Sequence, residues 1–578
     1  MLLTTVLFVV SLPVCLASLA LDARIPASPA ESFLDSRRAA AANASYLETL
    51  SEPQRQVFDY VLDALDENFS PPFLFNSPRY SAWYAVALLA RNGKGDVATA
   101  SEILEDVISF QFTDPNTNWY GTFKDLPSAP DPGDVYPPRL YTSYDTNIGL
   151  FVCTSFIIIM EEFQHMLEPS LVTLMKKSMY NATVGDGYRV GGFNGDGYSA
   201  GGFIGDNLYP IYSNPWYMRV MAATYVGKMM GDTNMSHWGD QWAAEAIANF
   251  NLYRTLAEFN SGTYTGVTLY ALSLWGYMPK NSTIAKHAKD IIAKTWTSIG
   301  MFYNPTLHTL GGPWDRAYGY DMRAYYGILG GQIAGIIGGI EDGSAPLPRP
   351  IVGSEHFGDA AANVLTPLIA KFNDPYVPAA ALAQLKGLSK SHAYSAQAVS
   401  PPWDNPTVPR NYTSWTAPGL SIGAIASDEK VIGGAATNQA AYVPASIVWS
   451  TGSQTAWFNM YPTSGTISAA ASPTGLTIAY PTSAAFNSTL TSNVMTFLFS
   501  GFPHLSLPAD FLAIANGMST GMLPGLRLTL SGNVVSAGTR TLVYGAGSIN
   551  NLPYYNLTYV FGDLGGAVPQ IVIAVEKI

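Results

Sequence analysis

Three short segments of this chain bring acidic, amide, basic and phenolic side chains together near the ends of predicted helices. They are residues 212–217 (Tyr-Ser-Asn-Pro-Trp-Tyr), 258–264 (Glu-Phe-Asn-Ser-Gly-Thr-Tyr) and 311–321 (Gly-Gly-Pro-Trp-Asp-Arg-Ala-Tyr-Gly-Tyr-Asp). Carboxyl and phenol groups transfer protons, and an arginine binds carboxylates. The segments therefore predict a polar cleft with acid–base chemistry, although Glu258, Asp315 and Arg316 are also residue types that form structural ion pairs and caps.

Helices must position these segments. From about residue 45 to residue 395, apolar residues recur at helical spacing, as in 54–65 and 97–108, and Gly, Pro and Asn separate one helix from the next. About a dozen helices with alternating short and long connections predict helical hairpins arranged in an (α/α) toroid. In such a toroid the three segments open at the rim of the central cleft.

The composition changes after the proline-rich residues 396–414, which we interpret as a linker. From 415 to 578, Ser, Thr and Gly increase and short β-prone runs appear, such as Ala-Ser-Ile-Val-Trp at 445–449. These runs predict an antiparallel β-sandwich. The predicted fold class is therefore a multidomain α+β protein, with an N-terminal toroid of helical hairpins over 45–395 and a C-terminal sandwich.

The first twenty residues are typical of a cleavable signal peptide, because an apolar run is followed by small residues at Ala17, Ser18 and Ala20. This pattern predicts a secreted, extracellular protein. Eight Asn-x-Ser/Thr sequons favour N-linked glycans, and they begin at residues 43, 68, 181, 234, 281, 411, 487 and 556.

The composition favours a protein that handles carbohydrate. Charged residues make up 12% of the chain and tyrosines number 34; aromatic faces stack on sugar rings while phenol groups bond hydroxyls. A net charge of −12 argues against nucleic acid or an anionic membrane as a partner, and an anionic polysaccharide would need a local basic patch. The seven histidines show no metal-ligand spacing, so we expect no metal site.

The second and third segments resemble a known group of enzymes. The run Glu-Phe-Asn-Ser-x-Thr-Tyr at 258–264, followed by Gly-Pro-Trp-Asp-Arg-Ala-Tyr-Gly-Tyr-Asp at 312–321, is similar to secreted helical-toroid proteins related to uronate polysaccharide lyases of the glucuronan and alginate type. The resemblance covers about residues 140–340. It implies an anionic polysaccharide substrate and no cofactor.

Such lyases place an Asn, an acid, an Arg, a Tyr and often a His around the sugar. The matching residues here are Asn214, Glu258, Arg316 and one of Tyr264, Tyr318 or Tyr320, whereas no His lies in the 258–264 run. The neighbouring residues that we predict to bind substrate are Asn260, Trp216, Tyr217, Trp314, Asp315, Tyr188, Tyr198 and Tyr144.

The chemistry of β-elimination accounts for these residue types. Removing the C5 proton of a uronate requires the adjacent carboxylate to be neutralised, which Arg316 could do with Asn214 or a protonated Glu258. A tyrosine can act as the base, and the same or another tyrosine can protonate the departing oxygen.

Two alternatives remain open at this stage. A glycoside hydrolase on a similar helical barrel would use two carboxyl groups about 5–10 Å apart, for which Glu258 with Asp315 or Asp145 are candidates. A non-catalytic glycan-binding protein would keep the aromatic cleft without needing an Arg beside a Tyr and an acid.

A short repeat precedes the first segment. Gly-Asp-Gly-Tyr at 185–188 recurs at 195–198, and a third, broken copy begins at Gly205. Gly/Asp repeats can bind Ca²⁺, but that architecture needs more turns at a nine-residue period. We favour an ordered, Tyr-bearing loop between helices.

Cysteine usage yields a first testable prediction. Cys15 lies in the predicted signal peptide and leaves Cys153 alone in the mature chain, so no intramolecular disulfide can contribute to stability. We expect the melting temperature to be unchanged by dithiothreitol. A shift of several degrees would indicate an intermolecular bridge through Cys153, which a Cys153→Ala variant would remove.

Overall fold

A computed structural model of the protein describes residues 46–578 apart from 135–136, 141–142, 191–212, 318, 323–326, 347–356, 401–406, 429–441, 482–491, 501–508, 517–522, 539 and 550–551. The part before about residue 390 is helical. Its helices are α1 Glu52–Asn68, α2 Pro78–Arg91, α3 Asp96–Ser109, α4 Thr146–Ile158, α5 Pro169–Arg189, α6 Ser213–Met230, α7 Thr233–Tyr253, α8 Gly262–Ser273, α9 Thr283–Phe302, α10 Ile328–Ile337, α11 Thr366–Ile369 and α12 Ala379–Lys386.

Several shorter elements join these helices. A π-helical turn, Ile159–Phe163, extends α4, and 3-10 turns occur at Tyr46–Thr49, Gln164–Met166, Leu274–Tyr277, Phe357–Val364, Ala370–Phe372 and Asp374–Tyr376. Two small hairpins pair β1 Phe69–Ser70 with β2 Phe73–Leu74, and β3 Tyr303–Asn304 with β4 Thr309–Leu310.

The helices form a closed ring with an inner and an outer layer. Helices α2, α4, α6, α8 and α10 contact one another in that order, and the 3-10 helix Phe357–Val364 contacts both α10 and α2, which closes the circuit. The outer helices pack on the inner ones as hairpin partners, for example α3 on α2 and α7 on α6. Tight connections make each pair antiparallel, so all inner helices run in the same direction.

Sequence pattern explains which helices are inner. In α6 every residue from Ser213 to Gly227 is buried, and in α4 all residues except Asn147 are buried, because apolar and small residues cover all sides of these helices. The outer helix α1 instead buries Val57, Phe58 and Val61 on one face and exposes charges on the other. A helix that is apolar all round must lie inside, whereas an amphipathic helix covers the surface.

The second part of the chain is an antiparallel sheet. Its strands are β5 His392–Ala398, β6 Arg410–Ala417, β7 Leu420–Asp428, β8 Ala445–Ser450, β9 Thr455–Tyr461, β10 Thr466–Ser472, β11 Gly475–Ala479, β12 Val494–Ser500, β13 Leu526–Ser531, β14 Thr541–Ile549, β15 Leu552–Val560 and β16 Gln570–Lys577. Two short helices, α13 Ala509–Ala515 and α14 Asn533–Ser536, lie between strands.

Strand β7 is shared by two arms of this sheet. Leu420–Ala424 pairs with β8, which continues through β9, β12, β15 and β14. Residues 426–428 pair instead with β10, which continues through β11, β16 and β13, while β6 and β5 line the other edge of β7. Because its partner changes at Ile425, one strand belongs to both arms of the β-domain.

The helical ring and the β-domain share a tightly packed interface. The backbone groups of Trp314 and Val443 exchange two hydrogen bonds of 3.0 Å, and the Asn304 amide donates to the carbonyl oxygens of Ala417 and Leu420. A Cβ atom on Gly423 would lie 1.7 Å from the Gly312 carbonyl oxygen, so only glycine permits this approach. Strands β8 and β9 are accordingly buried on both faces.

The predicted fold class, a toroid of helical hairpins followed by an antiparallel β-domain, is confirmed. The strands begin earlier than expected, because residues 396–398 and 410–414, assigned to a linker, belong to β5 and β6. Strand β5 reads His-Ala-Tyr-Ser-Ala-Gln-Ala, whose small apolar residues give a weak strand signal. The predicted signal peptide, residues 1–20, lies outside the described residues.

The first copy of the Gly/Asp repeat is not a loop. Residues 185–188 form the end of α5, and a Cβ on Gly185 would lie 1.9 Å from the Tyr120 carbonyl oxygen. Asp186 is buried and accepts hydrogen bonds from Arg189 (2.9 Å) and Arg219 (2.5 Å), so its carboxylate is paired with these two arginines. The later copies lie outside the described residues. Within the described part, no group of three or more His, Cys, Asp or Glu residues is placed to hold a metal.

One described helical stretch, Thr146–Met166, is long and apolar enough to cross a membrane. Within its most apolar window 83% is buried inside the protein, which is the position of a core helix of the ring.

Close helix packing in the ring yields a second prediction. A Cβ on Gly266 of α8 would lie 2.2 Å from the backbone nitrogen of Leu329 in α10, so Gly266→Ala must push two inner helices apart. We expect the free energy of unfolding to fall by about 2 kcal/mol. Gly335→Ala, in the same ring, is the matched control, because its Cβ would meet only Gln54 Cγ at 3.7 Å. Equal melting temperatures for the two variants would contradict this packing.

Candidate functional site

Four of the predicted site residues meet at the N-terminal ends of the inner helices. Asn214 is the second residue of α6, and Tyr264 lies in the first turn of α8. Glu258 lies in the connection that leads into α8, and Arg316 follows β4 in the loop that contacts the β-domain. We call Asn214, Glu258, Tyr264 and Arg316 the site cluster.

The carboxyl group of Glu258 joins the members of the site cluster. Its Oε2 accepts hydrogen bonds from the Asn214 backbone amide (3.2 Å) and from Asn214 Nδ2 (2.9 Å), so the carboxyl group lies at the positive end of the α6 dipole. Its Oε1 lies 3.8 Å from Arg316 Nη1. This second oxygen is buried and accepts no hydrogen bond from the residues that the structure describes.

Burial dominates the protonation of Glu258. Removal from water raises the pKa of this carboxyl group from 4.5 to about 7, although Arg316 and the two Asn214 hydrogen bonds act in the opposite direction. The negative charge of Asp315 raises it further. A group with this pKa is present in both protonation states near neutral pH and can therefore donate or accept a proton there.

Arg316 and Tyr264 are the partly exposed members of the site cluster. The guanidinium carbon of Arg316 lies 4.6 Å from the centre of the Tyr264 ring, a cation–π distance, and the Arg316 side chain is 16% exposed. The Ser261 hydroxyl, which caps α8, accepts from the Tyr264 amide (3.0 Å) and donates to the Arg316 carbonyl oxygen (3.2 Å). One buried hydroxyl thus fixes both residues.

The backbone of Arg316 adopts a left-handed conformation with φ of 58°. This conformation is uncommon for a residue with a β-carbon and is maintained only where the surroundings impose it. Here the hydrogen bond to Ser261 and the contacts of the preceding loop impose it, and they direct the guanidinium group toward Glu258.

A second arginine lies close to the site cluster and was missed in the sequence analysis. Arg79, in the first turn of α2, pairs with Asp359 at 2.7 Å and packs 3.6 Å above the Phe151 ring. It interacts electrostatically with Tyr264 and Asp145. The signal was present, because Ser77-Pro78 repeats the cap-then-proline pattern that marks Asn214-Pro215 as a helix start.

Several residues predicted to bind substrate are instead buried structural residues. Trp216 packs beside Arg219 and donates from Nε1 to the Trp242 carbonyl oxygen. Tyr217 is 2% exposed, as expected for a fully buried inner helix. Trp314 is 1% exposed; its backbone pairs with Val443, and its indole Nε1 donates to the Leu310 carbonyl oxygen (3.1 Å).

Asn260 and Asp315 also make structural contacts within the protein. The Asn260 amide donates to the carbonyl oxygens of Gly311 (2.9 Å) and Pro313 (2.5 Å), which ties the loop to α8. Asp315 is 4% exposed and pairs with Arg410 of β6 at 3.4 Å. Sequence spacing could not reveal these partners, because they lie 51 to 95 residues away.

The other candidates lie elsewhere. Tyr320 is 1% exposed and packs among the rings of Trp457, Tyr461 and Tyr554, so it contacts the β-domain rather than the site cluster. Tyr144 is buried against Trp119, and Tyr188 is half-buried in the last turn of α5. Tyr198 and Tyr318 lie outside the described residues.

Comparison with known proteins places the chain in a family. The model described as Domain of unknown function (DUF8769) matches residues 54–371, more than half of the chain, and a second, Domain of unknown function (DUF8770), matches residues 390–576. The chain belongs to the DUF8769 family. No curated protein matches its sequence. Its fold is similar to that in a crystal structure of heparinase III, with a TM-score of 0.41 and 8% identity over 93% of this chain and 87% of that one.

The raised pKa of Glu258 yields a third prediction. The folded protein retains this proton up to about pH 7, whereas an unfolded glutamate loses it near 4.5. The contribution of Glu258 to the free energy of unfolding is therefore highest below pH 4.5 and is lost as the pH rises through 7. Glu258→Gln removes this dependence. We expect the variant to gain up to about 3 kcal/mol relative to the native protein above pH 7 and nothing at pH 4.

Thermal melting between pH 4 and 8.5 measures this difference. Glu105→Gln is the matched control, because Glu105 is exposed on the outer helix α3, away from the site cluster. A constant difference between the native protein and Glu258→Gln at all pH values would show that Glu258 is not buried in this way.

Proposed function

We propose that this member of the DUF8769 family is a secreted polysaccharide lyase that cleaves a uronic-acid-containing polysaccharide by β-elimination. The observation that carries the proposal is the site cluster itself. A buried Glu–Asn pair, a partly exposed arginine and a tyrosine beneath that arginine lie together at one end of the ring. These are the groups that carboxylate neutralisation and proton transfer at a uronate require.

Neutralising the substrate carboxylate is the first requirement. Arg316 is always charged and is the residue best placed to pair with a uronate carboxylate, because it is the exposed cation of the site cluster. In its protonated form, Glu258 would donate a hydrogen bond from Oε1, the oxygen that faces Arg316, once a bound uronate reaches this group. Both interactions strengthen as the C5 proton leaves and negative charge spreads onto the carboxyl group.

Tyr264 is the proposed base. Its ring lies under Arg316 and within electrostatic range of Arg79, and two nearby positive charges stabilise a phenolate more than a phenol. The phenolate takes the C5 proton, the electron pair of that C–H bond forms the C4–C5 double bond, and the C4–O bond breaks. The proton then passes from the Tyr264 phenol to the departing oxygen, so the reaction consumes no water and needs no cofactor.

A glycoside hydrolase remains the second candidate, because a carboxyl group with a pKa of about 7 suits a general acid. This mechanism needs a second carboxylate. Asp315 is buried in its pair with Arg410 and is unsuited to that role. Asp145 caps α4 by accepting from the Asn147 amide, and its side chain is partly exposed. It is therefore the carboxylate on which a hydrolytic mechanism would depend.

Secretion and glycosylation belong to the same proposal. The apolar N-terminal run and the sequons support them. Among the described sequons, Asn68, Asn234, Asn281 and Asn411 are exposed, whereas Asn181 is buried in α5 and accepts a hydrogen bond from the Tyr120 hydroxyl. We therefore expect the chain to carry glycans at some of its eight sequons and none at Asn181.

Incubation with a panel of polyuronates tests the reaction. A lyase leaves a conjugated, ultraviolet-absorbing unsaturated uronate, whereas a hydrolase leaves only a new reducing end. We expect Tyr264→Phe to lose nearly all turnover, and Arg316→Ala to lose about 3 kcal/mol of transition-state stabilisation, on the order of a hundredfold in kcat/KM.

Matched variants separate the mechanisms. Tyr376→Phe removes a hydroxyl near Trp275, beyond the opposite end of α8, and Arg527→Ala breaks an exposed ion pair with Glu576; both should retain activity. A hydrolase would instead produce new reducing ends without ultraviolet absorbance. This activity would be lost in Asp145→Asn and retained in Tyr264→Phe. Binding of a polyuronate without either product would indicate a glycan-binding protein.

A further inference from the structure

We propose that Arg410, a residue of the β-domain, is a positioning residue for the site of the helical ring: through its ion pair with Asp315 it fixes the loop that presents Arg316 to Glu258 and Tyr264. The proposal rests on the proposed function for its catalytic consequence. The structural part of the proposal, the coupling of Arg410 to Glu258, does not depend on the identity of the reaction.

The loop over residues 311–316 is held from both domains. From the helical side, Asn260 binds two of its carbonyl oxygens and Ser261 donates to that of Arg316. From the β-domain, Val443 pairs with the backbone of Trp314. A Cβ on Gly312 would lie 2.5 Å from Ser446 Cβ, so strand β8 covers the loop without a gap. The loop therefore has no independent conformation and takes the one that both surfaces define.

The ion pair lies at the point where this loop turns toward the site. Arg410 Nη1 is 3.4 Å from Asp315 Oδ2, and the two side chains are 4% and 6% exposed. A buried carboxylate is strongly destabilising without a compensating charge, and Arg410 supplies such a charge to Asp315. Arg316, the next residue, adopts its left-handed backbone conformation directly after this anchor.

The carboxylate of the same ion pair contributes to the electrostatic field at Glu258. The charged groups that act on this carboxyl group are Arg316 and Asp315 of the loop, and Asn214 of α6 adds two hydrogen bonds. The charge of Asp315 opposes ionisation of Glu258, and Arg410 offsets that charge from the β-domain side. Without Arg410, the charge of Asp315 is compensated less, so Glu258 is expected to retain its proton to higher pH.

Two measurements on the full-length protein test this coupling. The first needs no substrate. The melting temperature of each variant is measured against pH, once with Glu258 and once with Glu258→Gln, and the difference between the two reports protonation of Glu258. We expect the midpoint of this pH-dependent difference to move to higher pH in Arg410→Gln. In Arg410→Lys, which keeps the charge, it should stay near the native value. In the double variant Asp315→Asn/Arg410→Gln, which removes both charges of this pair and covers the case in which Arg410→Gln does not fold, the midpoint should not exceed the native value.

The second measurement is cleavage of a polyuronate by the same variants. We expect kcat/KM of Arg410→Gln to fall by at least about tenfold and the alkaline limb of its pH profile to shift to higher pH. Arg410→Lys should recover part of the rate. A loss that was only structural would lower the rate without moving the limb. Arg527→Gln, which breaks an exposed ion pair elsewhere in the β-domain, should change neither quantity.

The two proposals fail in different ways. A midpoint unchanged in Arg410→Gln, or raised in the double variant, overturns the role of Arg410 even if the native protein cleaves polyuronates. A native protein that cleaves none of them, while the midpoint moves as expected, overturns the lyase and leaves the coupling of Arg410 to Glu258 established.

Discussion

An inner helix of a closed ring has no side that faces water, and this constraint determines where the protein can place its chemistry. The flanks of α4, α6 and α8 are apolar or small because neighbouring helices cover them completely. Only the ends of such a helix have unsatisfied backbone groups that need polar partners. Because all inner helices point the same way, their N-terminal amides and their capping side chains meet at one end of the ring, where the site cluster lies.

The same constraint explains why the site combines opposite charges at low exposure. A carboxyl group at the N-terminal end of a helix is stabilised by the helix dipole, which is why Glu258 can accept from the Asn214 amide although it is buried. Burial still outweighs this stabilisation and raises the pKa of Glu258 to about 7. The folded protein therefore tolerates a group that would be more stable in water, which is typical of residues selected for reactivity rather than for stability.

Sequence reasoning recovered the features that depend on local pattern. Helical periodicity and the Asn214-Pro215 start of α6 identified helices and the junctions between them, and four junction residues prove to be neighbours. It failed where long-range packing decides. Trp216 and Trp314 are residue types that bind sugars, but an all-round apolar helix and a domain interface bury them. Nothing in the local sequence pairs Asn260 with Gly311 or Asp315 with Arg410, because these contacts exist only once the ring has closed against the sheet.

The contact between Gly312 and Gly423 bears on how such proteins diverge. The two backbones approach so closely that neither residue can gain a side chain unless the other domain moves away. This helical ring could therefore be joined to a different β-domain only if that domain also offers a residue without a side chain at this contact.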